Sequence, residues 1–259
     1  MKKIYIHTDL EGISGIDKGE MVRASSENLQ YCIKRLMIDV NAAIDGAFEG
    51  GATDVTVLDS HGGGGNFDLG LLDKRVQHDT KPNKKWWGIL DGSYFGTFFI
   101  GAHAMAGTRS GFLDHTQSSE AVYNYYVNGR LMGELGQWAM VCAHYDVPVI
   151  MVSGDEAATH EATQFFGDIE TACVKKGISR DTAVLVPVDR AVERIKQAAK
   201  AAVEKSEKKP AFKPLLPMEI KIEYTRADYC DYASKQNGVE RVDARTARKI
   251  SHSYQDFWM

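Results

Sequence analysis

Long apolar runs are missing from this sequence. No window reaches the roughly 18 consecutive apolar residues that a membrane-spanning helix needs, so a membrane partner is not expected. The chain starts Met1-Lys2-Lys3 and runs into Ile4-Tyr5-Ile6, but His7 and Asp9 break that short stretch before it could serve as a signal-peptide core. Cysteine is scarce: Cys32, Cys142, Cys173 and Cys230 are the four present, widely spaced and without a C-x-x-C pair. That pattern suits reduced thiols in a cytoplasm better than a disulfide framework. An excess of positive charge is also lacking, and the net charge of −4 argues against nucleic acid or an anionic membrane as main partner. Several catalytic signatures are absent as well: G-x-x-x-x-G-K-[ST], H-E-x-x-H, G-x-S-x-G, and a G-x-G-x-x-G after the first strand. The one glycine run, Gly62 to Gly65, has neither the lysine nor the serine of a phosphate loop and reads as a mobile loop. Internal repeats and low-complexity tracts are missing too.

What remains is the profile of a soluble globular protein expected in the cytoplasm: 259 residues, 44% hydrophobic and 25% charged. Lys3 to Thr8 reads as a buried strand. The segment from Ser25 to Gly50 reads as a helix, with Leu36, Met37, Val40, Ala43 and Ala47 on one face and Gly50-Gly51 ending it. Further strands are expected at Asp54 to Leu58, Tyr94 to Ile100 and Val147 to Val152. A hairpin turning at Asn128-Gly129 follows Ala121 to Val127, and Gly133 to Tyr145 reads as a helix. Continuous rather than alternating apolar strands, interleaved with helices, predict an α/β fold with a largely parallel sheet flanked by helices. The lysines and prolines around Glu204 to Pro217 read as a linker. They divide the chain into a catalytic domain, 1–205, and a small α+β C-terminal unit, 206–259. That unit is expected to hold a strand at Glu219 to Tyr224, a short helix at Ala227 to Ser234 and a final helix at Ala244 to Phe257.

Chemistry-bearing residues gather where apolar strands end. His7, Asp9 and Glu11, two apart, share one face of an extended chain, and ligands of open α/β sheets collect at the carboxyl ends of strands. Two carboxylates so close repel unless a cation or proton compensates. Taken alone, a D-x-E is more often a solvated acidic loop. His61 follows the second strand and His103 the third. Each alone is a weak signal, but their occurrence at matching strand ends is much harder to reach by chance. The mixed carboxylate–imidazole set suits zinc, with manganese or iron as alternatives. His115 lies in a loop beyond, either as a proton carrier or as a loop residue without a role. Glu134 opens a predicted helix, where the helix dipole gives it a structural explanation as good as a metal-binding one. Asp155 reads as a substrate contact or a helix cap. Trp86-Trp87 beside Lys84-Lys85 could stack on a ligand, although a core or interface role is the more ordinary one.

Taken in order, these stretches resemble the zinc D-aminopeptidase family. The resemblance rests on Asp9-Leu10-Glu11-Gly12, Asp59-Ser60-His61, Gly101-Ala102-His103, Asp114-His115-Thr116, Gly133-Glu134-Leu135-Gly136, Val152-Ser153-Gly154-Asp155 and Ala172 to Ser179. It covers about the first 180 residues well and the tail loosely. It implies two divalent cations per chain, zinc first. Asp9 would bridge them, with Glu11 and His61 completing one site, His103 and Glu134 the other, and His115 as catalytic residue. It also implies a short peptide substrate, plausibly with an N-terminal D-amino acid, and a homo-oligomer of the ring-stacked decamer type. One departure stands out: the family's first motif position is serine and here it is His7, open to reading as an outer partner, an extra ligand or a reshaped pocket wall. Two alternatives stand beside the aminopeptidase reading. One is a metal-dependent amidase or esterase with the same ligands, the other a non-catalytic, metal-anchored binding protein for a peptide or metabolite.

Overall fold

The computed structural model describes residues 1–23, 25–205 and 207–259. The chain runs β1 (Lys3–Thr8), α1 (Leu29–Glu49), β2 (Asp54–Asp59), β3 (Gln77–Asp79), β4 (Gly96–Ala102), β5 (Val122–Val127), β6 (Arg130–Leu131) and α2 (Glu134–His144). It continues β7 (Val149–Asp155), α3 (Glu156–Phe166), β8 (Glu170–Ser179), β9 (Thr182–Leu185) and α4 (Val188–Glu204). The last elements are β10 (Met218–Tyr224), α5 (Ala227–Ala233), β11 (Val239–Arg241) and β12 (Thr246–Ser251).

A seven-stranded sheet in the order β3-β2-β1-β4-β7-β8-β9 forms the centre. Every neighbouring pair is parallel except β8–β9. Both faces are covered, which is why β1 and β4 are buried along nearly their whole length rather than on alternate residues. Ile4 and Ile6 belong to a core shared with α1 and α4, while Tyr5 between them belongs to a second core with α2 and the smaller sheet. The chain proceeds from β1 outwards through β2 and β3, then returns to place β4 on the other side of β1. Such a reversal leaves a crevice at the carboxyl edge, where ligands of open α/β sheets bind. Register sets the crevice: Thr8 pairs with Asp59 on β2 and with Ile100 on β4, so three strands end at one level.

The second sheet, β11-β12-β10-β5-β6, is antiparallel. Its β5–β6 hairpin is the one expected at Asn128-Gly129, and the positive φ of Asn128 (50°) and Gly129 (77°) is that of a primed turn. The C-terminal strands therefore share a sheet with residues from the middle of the chain. Between α4 and β10 the described residues carry neither helix nor strand, as expected of the Glu204 to Pro217 segment. The final helix expected at Ala244 to Phe257 is not formed: Thr246–Ser251 is a strand, paired with β10 on one side and β11 on the other. Two open strand edges supply more hydrogen bonds to this stretch than its local helix preference can offset. β8, β9 and α4 carry no expectation from the sequence pattern, whereas α3 is the helix that Asp155 was open to capping.

Candidate metal centre

The carboxyl edge of the sheet is assembled by close backbone approach. Asp9 N–H donates to Ile100 O and Gly12 N–H to Gly101 O, both at 2.8 Å. Only glycine fits at these two contacts: a Cβ on Gly12 would lie 1.9 Å from Ala102 O, and one on Gly101, at φ +80°, would lie 2.2 Å from Asp9 O. The turn after β1 is held from below by buried polar groups. Lys175 Nζ donates to Glu11 O at 2.7 Å and Ile16 O at 3.2 Å. Ser14 donates from its backbone N–H and its hydroxyl to the two oxygens of Asp39 at 2.7 and 2.6 Å. Burial pushes the Lys175 amine down to about 7, against the pull of Asp155 and Asp39.

Two donor groups converge on this edge, Asp9/Glu11/His61 and His103/His115/Glu134. In each, one donor atom per residue lies within 4.8 Å of the others. In the first group His61 Nε2 is 3.4 Å from Glu11 Oε1. In the second, His103 Nε2 and His115 Nε2 each lie 3.6 Å from Glu134 Oε1, and the two imidazole rings stack at 3.9 Å. Asp9 links the groups, its Oδ2 standing 3.4 Å from His103 Nε2. Backbone carbonyls orient both rings: His103 Nδ1 faces Ala104 O at 3.0 Å and His115 Nδ1 faces Leu113 O at 2.8 Å. With the proton on Nδ1, each Nε2 lone pair is left for the cavity. Gln117 N–H donates to Glu134 Oε1 at 2.8 Å and fixes that carboxylate at the first turn of α2.

The electrostatics describe a site short of positive charge. Burial raises the Asp9 carboxyl well above its usual range, and the neighbouring Glu11 charge adds to this. Burial opposes ionisation of Glu11 and Glu134 too, but the imidazoles outweigh it. Glu11 is held well below its ordinary value by His61, and Glu134 is lowered to about 2 by His103 and His115. His61 is correspondingly raised to about 10, the Glu11 hydrogen bond and charge overcoming its burial. Imidazole protons balance Glu11 and Glu134 but do not offset the burial of Asp9. Glu11 Oε2 and His103 Nε2 are nonetheless buried without a hydrogen-bond partner. Orphaned donor atoms of metal-ligating type, in groups of three, fit divalent cations.

All six residues singled out from the sequence, Asp9, Glu11, His61, His103, His115 and Glu134, are thus brought together. The donor geometry differs from the resemblance in one respect, because it places His115 within ligand reach of His103 and Glu134. His7 belongs to neither donor group. It stacks on Trp138 at 4.2 Å, meets Phe99 and Trp86 edge-on, and lines the cavity as a wall. Asp59 accepts from Asn66 N and Nδ2 at 2.5 and 2.9 Å and from Phe67 N at 3.1 Å, closing the glycine loop after His61, and Asn66 Oδ1 in turn faces His61 Nδ1 at 3.5 Å. Asp155 caps α3, accepting from Ala158 N, and ties down Phe112 N, both at 2.7 Å.

The sequence reading missed several residues of the site. Gln137 falls three positions after Glu134, on the same face of α2, a spacing that could have flagged it, while Trp138, one position on, backs His7 rather than lining the cavity. Gln137 is buried with both amide atoms unpartnered. Trp258, the penultimate residue of the sequence given, also lines the cavity, and nothing local marks it.

A largely parallel α/β sheet that gathers two mixed carboxylate–imidazole groups at its carboxyl edge is the architecture of a metal-dependent hydrolase. The sequence profile of peptidase family M55, described as D-aminopeptidase, matches residues 1–259. A D-aminopeptidase of Bacillus subtilis (strain 168) is 33% identical over 264 residues, covering 98% of this chain and 94% of that protein. Among solved structures, the Zn-dependent D-aminopeptidase DppA from Bacillus subtilis, described as a self-compartmentalizing protease, superposes with a TM-score of 0.92. It shares 29% identity and covers 98% of this chain and 93% of its own. The chain belongs to the M55 family of D-aminopeptidases.

Proposed function

We propose that this chain is a zinc-dependent aminopeptidase that removes an N-terminal D-amino acid from short peptides. The observation that carries the proposal is the pair of donor groups, Asp9/Glu11/His61 and His103/His115/Glu134, opening on one cavity of about 480 Å³. Asp9, between the groups, would be shared by the two ions; Glu11 and His61 would complete one site, and His103 and Glu134 the other. Zinc held by these residues would supply Lewis-acid polarisation of the scissile carbonyl and would lower the pKa of water from about 15.7 towards about 7. His115 carries the proton. Its Nδ1 is held by Leu113 O, so Nε2 takes a proton from the attacking water and returns it to the departing amine. Burial lowers the His115 pKa and keeps that nitrogen available as a base. Glu134, fixed by Gln117, holds both imidazoles in place.

By extension from the self-compartmentalizing relative, the chain works as a homo-oligomer, with a decamer as the specific expectation. No helix among the described residues is long and apolar enough to cross a membrane. The four free cysteines support a cytoplasmic location.

Elemental analysis of wild type beside Asp9→Ala and His103→Ala tests the reading, followed by D- and L-dipeptide hydrolysis. About two zinc ions per wild-type chain, fewer in both variants, and cleavage of D-dipeptides are expected. Protein that neither retains metal nor gains activity with zinc, manganese or cobalt would refute it. Metal retained without hydrolysis of any peptide, amide or ester would favour a binding protein instead.

A further inference from the structure

The cavity has two chemically different sides. One carries the donor groups; the other is aromatic. His7 stacks on Trp138 with an interplanar angle of 16°, and Trp138 meets Trp86 at 83° and 5.8 Å. Trp86 in turn meets Trp258 at 87° and 5.9 Å. The rings form a herringbone from the core to the cavity, each indole perpendicular to the next, and it ends at Trp258. Its neighbour Phe257 is fully buried, while Trp258 is 42% exposed.

That exposure is not the fraying of a chain end. Lys249 Nζ donates to Trp258 O at 2.6 Å, and Tyr125 Oη–H donates to Phe257 O at 2.8 Å. The indole is therefore held at the mouth of the cavity by contacts to its own backbone and to the preceding residue. Two perpendicular indoles make a corner. A planar ring entering it can stack on one wall and place its edge against the other, the two arrangements aromatic pairs prefer. A linear aliphatic side chain has no ring face or edge with which to make those two arrangements. No lysine or arginine lines this cavity among the described residues, so an acidic side chain has no counter-ion there.

We propose that Trp86 and Trp258 form a subsite for an uncharged aromatic side chain of the substrate, on the residue whose amide bond is cleaved. The assignment rests on the aminopeptidase reading above and adds to it a substrate class: short peptides or amides beginning with a phenylalanine-like residue. His7 and Trp138 back Trp86 and fix the angle of the corner. They are positioning residues, and Trp86 and Trp258 touch the substrate.

Amino-acid amides carry a single side chain and give the cleanest test. The zinc-loaded enzyme should hydrolyse D-phenylalanine amide with kcat/KM at least tenfold above that for D-alanine amide. Trp258→Ala should retain its zinc and lose more kcat/KM on D-phenylalanine amide than on D-alanine amide, removing most of that tenfold advantage. Trp258→Phe should restore the preference in large part. Equal kcat/KM for the two amides in wild type, or a preference for D-lysine amide over both, would overturn the subsite while leaving the aminopeptidase reading intact. An equal loss on both substrates in Trp258→Ala with zinc retained would overturn it too. Failure of the zinc-loaded enzyme on every D- and L-amide and dipeptide would overturn the aminopeptidase reading and the subsite with it.

Discussion

Gly12→Ala is the substitution that most directly couples the backbone of this fold to its site. Gly12 lies between β1 and β4 just beyond their last paired residues, with its N–H on Gly101 O at 2.8 Å. An added Cβ would stand 1.9 Å from Ala102 O, where real Cβ contacts stay beyond about 3.0 Å. The strands must open by roughly 1 Å, and because the obstacle is backbone, no side-chain rotation relieves it. Two consequences follow, with different magnitudes. Stability should fall by about 1–3 kcal/mol, the usual cost of overpacking, as the Gly12 and Asp9 bonds to β4 stretch. Asp9 and Glu11 should also move by roughly 1 Å relative to His103, which is twice the tolerance of about 0.5 Å for a working site. Metal binding should therefore suffer more than folding. Chemical denaturation of the metal-free protein measures the first effect and calorimetric titration with zinc the second. Gly65→Ala serves as control, because a Cβ there meets nothing within 4 Å, although its φ of +94° adds some backbone strain. Zinc affinity in Gly12→Ala within twofold of wild type would refute the claim that this approach sets the site.

Two further predictions concern single groups. His115→Asn should keep both zinc ions and lose about 10²–10⁴ in kcat/KM, the usual worth of a proton carrier. Loss of one zinc per chain in that variant would make His115 a ligand of the His103/Glu134 group instead. Glu161, whose Oε2 accepts from Met105 N–H at 2.8 Å, is pushed by burial from 4.5 up to about 7. The folded state keeps a proton that the unfolded state releases above about pH 4.5. The stability this group contributes is complete below that pH and is lost as pH rises through about 7, up to about 3 kcal/mol. Glu161→Gln carries no such proton, so urea unfolding at pH 5 and 8 should show a smaller pH-dependent loss than in wild type. Parallel losses in the two proteins would rule this origin out.

Much of the candidate site is legible in the sequence, for a physical reason. In a parallel sheet covered on both faces, strands are apolar throughout. A His, Asp or Glu just after such a run marks the edge where the chain re-emerges. Asp9, Glu11, His61 and His103 each carried that mark, and Glu134 and His115 were found through the motifs around them. The hairpin at Asn128-Gly129 was equally readable, because its turn demands positive φ at two successive residues. Local preference failed at Thr246–Ser251, where the open edges of β10 and β11 decide the conformation.

The sequence by itself determined the α/β class, the strand ends that carry donors and the order of the motifs, since each depends on residues near one another along the chain. Tertiary structure alone decided the rest. It placed His115 within reach of Glu134, assigned Asp59 to its own loop and His7 to a wall, and brought Trp258 from the far end of the chain to the mouth of the cavity. These outcomes depend on which strands pair and at what register, and that is set by packing summed over the whole molecule rather than by any local pattern.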